Sequence, residues 1–203
     1  ITLQLLAVPA FAADPVVPQQ APSQVAGVPD YGGKFITSIY VSERQLEKAG
    51  LLASPSVSTS GGIRAVTPQA GCVFDCVYLR DVAFWYNGQV FKTQAQLNNT
   101  TGSSSTLTLS QTLSASNSWS ANVGVSVEVV NAGVGFNATS SVSVTYTAST
   151  TVPKHTCKKI LAYQLYKVYK FNVFQEPFIG SDKKIGSGWA QQRNGVRYDI
   201  VYC

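Results

Sequence analysis

The sequence has little charge, no methionine and one histidine. Charged residues make up 12% of its 203 residues, about half the usual quarter. No apolar run reaches the ~18 residues that a transmembrane helix needs, so we predict none. The abundant serine, threonine, valine and glycine are instead typical of an all-β extracellular protein.

Motifs of the common enzyme classes are also missing. The sequence contains no GxSxG, HExxH, Walker or GxGxxG pattern, and no nucleic-acid-binding motif. The one histidine, His155, has no serine or cysteine motif that points to it. We therefore expect no catalytic activity, no cofactor, no metal site and no nucleic-acid partner.

The most informative stretch runs from Thr93 to Pro153 and carries a single charged side chain, Glu128. Within it, apolar residues occupy mainly odd positions from Leu107 to Val129 and mainly even positions from Ala132 to Val152. Their neighbours are serine, threonine, asparagine and glycine. Side chains alternate across a strand with a period of two. The pattern therefore predicts two long antiparallel strands, at about residues 106–152, joined near residues 130–134.

Each predicted strand has roughly 20 residues, against about 5–6 in an ordinary strand. Residues 119–129 and 134–144 each match the ~9–11 residues of a membrane-crossing strand. Interfacial aromatics would then lie at Trp119 and Tyr146, and Glu128 would face a wet lumen. A long hairpin that never enters a membrane remains the alternative. The predicted membrane-facing residues are Trp119, Ala121, Val123, Val125, Val127, Val129, Val134, Phe136, Val142, Val144 and Tyr146.

The N-terminal residues and the cysteines both indicate export. Residues 1–13 resemble the remnant of a secretory signal peptide, with a short apolar core before Ala10-Phe11-Ala12. An even count of four cysteines in a secreted chain predicts two disulfides, and CxxxC with two isolated cysteines is a poor zinc pattern. We favour bonds from the first pair to the second pair, in an order the spacing leaves open. The cysteines are Cys72, Cys76, Cys157 and Cys203.

The remaining sequence divides into an arm and a domain. Residues 14–62 are rich in proline and serine and predict an extended arm. A capping box, Ser42-Glu-Arg-Gln45, predicts a short helix near residues 42–50. Residues 63–203 form the predicted all-β domain, in which Asn87-Gly88 has the composition of a hairpin turn.

A basic cluster follows the long alternation. Residues 154–203 hold nine Lys or Arg against three acids. Such a cluster suits anionic lipid or an anionic polymer, and a solvated surface is the alternative. The cluster comprises Lys154, Lys158, Lys159, Lys167 and Lys170.

Residues 106–152, followed by the segment KVYKFNV at residues 167–173, resemble the insertion region of aerolysin-type β-pore-forming toxins. That resemblance implies an elongated antiparallel protein that oligomerises with itself and inserts a hairpin into a target membrane. The same region, with the tail KIGSGWAQQRNGVRYDIVYC, also resembles small secreted actinobacterial proteins, some of which are adaptor subunits of umbrella toxin particles. The alternative expectation is therefore a secreted interaction module that docks partner proteins of a toxin particle through its N-terminal arm.

Overall fold

The computed structural model describes residues 34–53, 76–177 and 179–203. The predicted signal remnant, the arm up to residue 33, residues 54–62 and Cys72 lie outside this part of the chain. The described residues contain two short helices and eight strands, in the order β1 Phe35–Ser42, α1 Glu43–Lys48, β2 Leu52–Ala53, β3 Cys76–Asn99, β4 Ser105–Ser116, β5 Ser118–Ala121, α2 Val127–Val134, β6 Ser141–Val152, β7 Thr156–Glu176 and β8 Lys183–Tyr202.

The strands form two antiparallel sheets. The larger, five-stranded sheet has the order β1-β8-β7-β3, and β5 pairs with β8 beside β1. The smaller sheet has the order β2-β6-β4. With 21 residues, β7 is about 70 Å long at ~3.3 Å per residue. The prediction of an elongated, all-β antiparallel fold is therefore confirmed.

The predicted hairpin is present only in part. β4 and β6 pair along their whole length, from Ser105 opposite Val152 to Ser116 opposite Ser141. The prediction of two continuous strands beyond that point is wrong for this structure, because residues 117–140 leave the small sheet. They form β5, α2 and their connections against the large sheet instead.

A first hydrophobic core lies between the small sheet and one half of the large sheet. The apolar face of β4 and β6 supplies Leu107, Leu109, Val144 and Tyr146, all buried. The facing residues of β7 and β8 are Ile160, Ala162, Val196, Tyr198 and Ile200. The period-two pattern of β4 and β6 is thus explained by ordinary core packing at this end of the molecule.

Buried tyrosines make this end of the protein sensitive to alkali. Burial raises the pKa of Tyr166 to about 12, and it also raises the pKa values of Tyr146 and Tyr198. The unfolded chain ionises these phenols near pH 10, whereas the folded chain holds them neutral. Their stabilising effect is therefore complete below pH 10 and is lost as the pH rises through the raised pKa values, which for Tyr166 means towards pH 12.

We expect the free energy of unfolding to fall by about 2 kcal/mol through Tyr166 alone between pH 10 and 12. Urea unfolding at stepped pH, with phenolate absorbance as a second signal, measures this. Tyr166→Phe should reduce the pH dependence by the Tyr166 contribution, while Tyr146 and Tyr198 keep theirs. Tyrosines that titrate fully at pH 10 without unfolding would contradict the prediction.

Part of the predicted arm belongs to the body. β1 pairs with β8 from Phe35 opposite Val201 to Ser42 opposite Gly195, and β2 pairs with β6. The predicted capping box is present at the N-terminus of α1, where the Ser42 backbone N–H donates to Gln45 Oε1 over 2.9 Å. Leu46 of α1 is buried in the first core. Residues 35–53 are therefore integrated in the fold, and assigning them to an arm was wrong.

The disulfide pairing differs from the predicted one. Cys157 at the start of β7 bonds Cys203 after β8, with the two Cα atoms 5.3 Å apart. Cys76 is also disulfide-bonded. The expected bonds from Cys72 and Cys76 to the later cysteines are therefore wrong, because adjacent strands bring Cys157 beside Cys203.

Candidate functional site

Residues 117–140, here named the docked segment, lie against β3, β7 and β8 of the large sheet. Val130 and Ala138 of this segment are fully buried against Phe171, Val173 and Ala190, and form a second core. The half-buried residues packed around them include Trp119, Ala121, Val123, Val125, Val134 and Phe136. Most apolar residues of the predicted membrane hairpin are thus sequestered on the sheet.

The helix in this segment has an unusual composition. α2 reads VEVVNAGV, in which valines and a glycine have low helix propensity and the valines favour strands. Its ends are capped, since Ser126 accepts from the Val129 N–H and Gly135 has a left-handed φ of 78°. Local propensity therefore opposes the helix, and packing of Val130 under it stabilises the helix instead.

Close backbone approach fixes α2 on β3. A Cβ at Gly133 would lie 2.6 Å from the Leu79 Cβ atom, which no real contact allows. A Cβ at Gly186 of β8 would similarly lie 2.5 Å from Val123. The docked segment therefore depends on glycines at two of its contacts with the sheet.

The docked segment leaves the small sheet through a neck formed by Asn117, Ser140 and Arg193. The Asn117 N–H donates to the Ser140 carbonyl over 2.8 Å, and the Asn117 side chain accepts from the Arg193 N–H over 2.9 Å. The Arg193 guanidinium donates to the carbonyls of Ala115 and Ser140 and contacts Glu43 over 3.3 Å. β4 and β6 thus stay paired up to the neck. Beyond it the chain leaves the small sheet and continues as the docked segment.

The other predicted hairpin residues lie elsewhere. Val142, Val144 and Tyr146 are in β6 and face the first core, and the Tyr146 hydroxyl donates to Gln164 over 2.9 Å. Trp119 and Tyr146, predicted at corresponding ends, belong to different cores. Glu128 is exposed in the first turn of α2, where hydrogen bonds from the backbone and from Ser126 lower its pKa.

The predicted basic cluster is not compact. Lys158 lies at the base of β7, donates to the Thr151 carbonyl over 2.8 Å and contacts the Tyr202 ring. Lys167 and Lys170 are exposed much farther along the same strand. From Lys158 to Lys170 the strand advances about 40 Å at ~3.3 Å per residue. These lysines are therefore spread along β7 and do not form one site.

Within the described residues no helix has the length and apolar character to span a membrane. The same part of the chain contains no cluster of three or more His, Cys, Asp or Glu side chains that would hold a metal.

No protein-family model and no curated protein matches the chain. Among solved structures, it is similar to parasporin-2, a Bacillus thuringiensis toxin that recognizes cancer cells. The two are 16% identical, with a TM-score of 0.29, and the match covers 63% of this chain and 68% of that chain.

Proposed function

We propose that the chain is a secreted, non-enzymatic protein that oligomerises and inserts the docked segment into a target membrane as a β-hairpin. The observation that carries this proposal is the register of the small sheet. In the β4–β6 ladder each pair of opposed residues obeys one constant register, from Ser105 opposite Val152 to Ser116 opposite Ser141. The same register would continue past the neck if residues 117–140 became extended strands.

The extended register pairs apolar residues with apolar residues. One face would hold Trp119 opposite Ala138, Ala121 opposite Phe136, Val123 opposite Val134, Val125 opposite Ala132 and Val127 opposite Val130. The other face would hold only polar residues and glycine, including Gly124 opposite Gly133. Both strands would then suit lipid on one face and water on the other.

The length of the extended hairpin also fits a membrane. Residues 119–127 and 130–138 supply about nine residues per strand, within the ~9–11 that cross a bilayer. The turn would fall at Glu128 and Val129 rather than at the predicted residues 130–134. The charge of Glu128 would then lie at the tip, beyond the apolar rows.

The docked segment is suited to change its conformation, because the structure that its local sequence favours differs from the structure that tertiary packing imposes. The period-two pattern favours strands, while tertiary contacts impose a helix and a short strand. Undocking would expose the apolar side chains of the second core, and a bilayer would cover them again. The neck already holds the two strands in register, so extension needs no new strand pairing below residue 117.

A disulfide across β5 and β8 tests the release step. Ser118 lies opposite Gln191, whose side chain donates to the Ser118 hydroxyl over 2.6 Å. We expect Ser118→Cys/Gln191→Cys, once oxidised, to release no dye from liposomes and to regain wild-type release after mild reduction.

Wild-type protein treated with the same reductant controls for the native bonds, and the single variant Ser118→Cys controls for the substitution. Full dye release by the oxidised double variant would refute the switch. If wild type releases no dye from neutral or anionic liposomes, the adaptor-type interaction module becomes the better proposal.

A further inference from the structure

A cleft of about 780 Å³ lies over the strands β3, β7, β8 and β5, at the level of the docked segment. The ladders place Ala83, Lys170, Trp189 and Ser120 side by side in one row across these four strands. The next row on the same face contains Asn172 and Ser187. Trp85 also lines the cleft, so two of the three tryptophans of the chain meet there.

Two bulges in β3 turn side chains towards this cleft. At the first, Asp81 and Val82 lie opposite the single residue Phe171, and Asp81 has a φ of 55°. A positive φ is uncommon for a residue other than glycine, although Asp tolerates it better than most. At the second bulge, Trp85 is the extra residue between Phe84 and Tyr86. Bulges re-aim side chains and often border functional sites.

The polar side chains of the cleft can each form further hydrogen bonds to a ligand. Asp81 accepts one bond, from the Asn172 side chain over 2.7 Å, and neither Asp81 nor Lys170 takes part in an ion pair with another described residue. Asn122 accepts from the Ser187 N–H through its oxygen over 2.8 Å. Carboxylate, amide, ammonium and hydroxyl groups thus surround two large aromatic rings, of which Trp85 is 45% exposed.

We propose that this cleft binds sugar rings of an oligosaccharide. A sugar ring has an apolar face of C–H groups, which the negative face of an indole attracts, and an equatorial rim of hydroxyls that both donate and accept. Trp85 and Trp189 supply the flat apolar surfaces, and Asp81, Lys170, Asn122 and Asn172 supply the hydrogen-bond partners. The volume is within the ~300–1,000 Å³ of ligand sites.

The composition of the cleft separates a sugar from other ligands. A purely apolar ligand would leave the Lys170 ammonium without an ion-pair partner and the Asp81 carboxylate with one hydrogen bond, which is unfavourable once water is displaced. A nucleotide or phosphate would meet the Asp81 carboxylate beside Lys170, which is the single cation among the described residues that line the cleft. Neutral hydroxyls pair with both charges, which favours the sugar.

Binding to an array of neutral, amino and acidic oligosaccharides tests the proposal, followed by titration of the best soluble oligosaccharide. We expect Trp85→Ala and Trp189→Ala each to raise the Kd about tenfold or more. Asp81→Asn keeps the side-chain size and should raise the Kd several-fold. Phe91→Ala removes another aromatic of β3, 51% exposed but outside the cleft, and should leave the Kd within about twofold.

Each variant is also compared with wild type by thermal unfolding, and Asp81→Asn answers the question if a tryptophan variant fails to fold. Absence of binding to every sugar class on the array overturns the proposal, as does binding that all three cleft variants retain. The measurement uses soluble sugars without membranes. A failure of dye release and a failure of sugar binding are therefore separate results.

Discussion

Replacing Asp199 with alanine is expected to lower the free energy of unfolding by about 3–5 kcal/mol. Asp199 is fully buried in β8, where its carboxylate accepts from Arg197 over 2.9 Å and from the Ser38 hydroxyl over 2.6 Å. Arg197 is 1% exposed and stacks over the Tyr163 ring at 4.8 Å. Removing the carboxylate leaves the guanidinium buried without its counter-charge, and this uncompensated charge is the main source of the loss.

A double-mutant cycle separates the ion pair from the loss of packing. Arg197→Met alone leaves Asp199 with Ser38 as a donor, and Arg197→Met/Asp199→Ala removes both charges. Because no charge then remains buried, the double variant should be less destabilised than the sum of the single variants. Urea unfolding of the four proteins gives the coupling. A loss below about 1 kcal/mol for Asp199→Ala would contradict the assignment of a buried, interacting pair.

The sequence pattern predicted which side chains of the docked segment point away from water, but it did not predict the secondary structure of the segment. From Ala121 to Val129 the odd positions are half-buried, and the even positions from Asn122 to Glu128 are exposed, as the alternation indicates. Periodicity describes one strand in isolation, however, and it contains no information on the second core. The helix at α2 results from tertiary packing that overrides valine's preference for strands.

Local turn and linker signals were overridden in a similar way. Asn87-Gly88 has the composition of a hairpin turn, yet both residues pair with β7 inside the continuous strand β3. Phe35 and its neighbours follow a proline-rich stretch, yet they pair with β8 at the other end of the chain. These contacts join residues far apart in sequence, so no window of local residues predicts them. The cleft escaped prediction for the same reason, because Asp81, Trp85 and Trp189 show no shared motif.

A lysine at Val125 is expected to abolish dye release from liposomes, while a lysine at the adjacent Gly124 preserves it. In the extended register Val125 lies opposite Ala132 on the lipid-facing side, one lipid-facing position from Val123 at the middle of the crossing. Lysine costs about 2–4 kcal/mol per subunit at the midplane and less towards the interfaces, so at Val125 we expect about 2 kcal/mol, or roughly 25-fold in the insertion equilibrium of each subunit. Gly124 lies opposite Gly133 on the side that faces water, where a lysine changes ion selectivity instead.

The docked state makes Gly124 a well-matched control. Gly124 is exposed, and a Cβ there meets no other atom within 4 Å, so lysine leaves the soluble fold intact. Val125 packs against the second core, so Val125→Lys also weakens docking, and thermal unfolding must show that the variant is folded under the conditions of the assay. Weaker docking by itself would promote release of the segment. A folded Val125→Lys protein that releases no dye therefore has its defect in the membrane step, whereas dye release equal to that of Gly124→Lys would contradict insertion in this register.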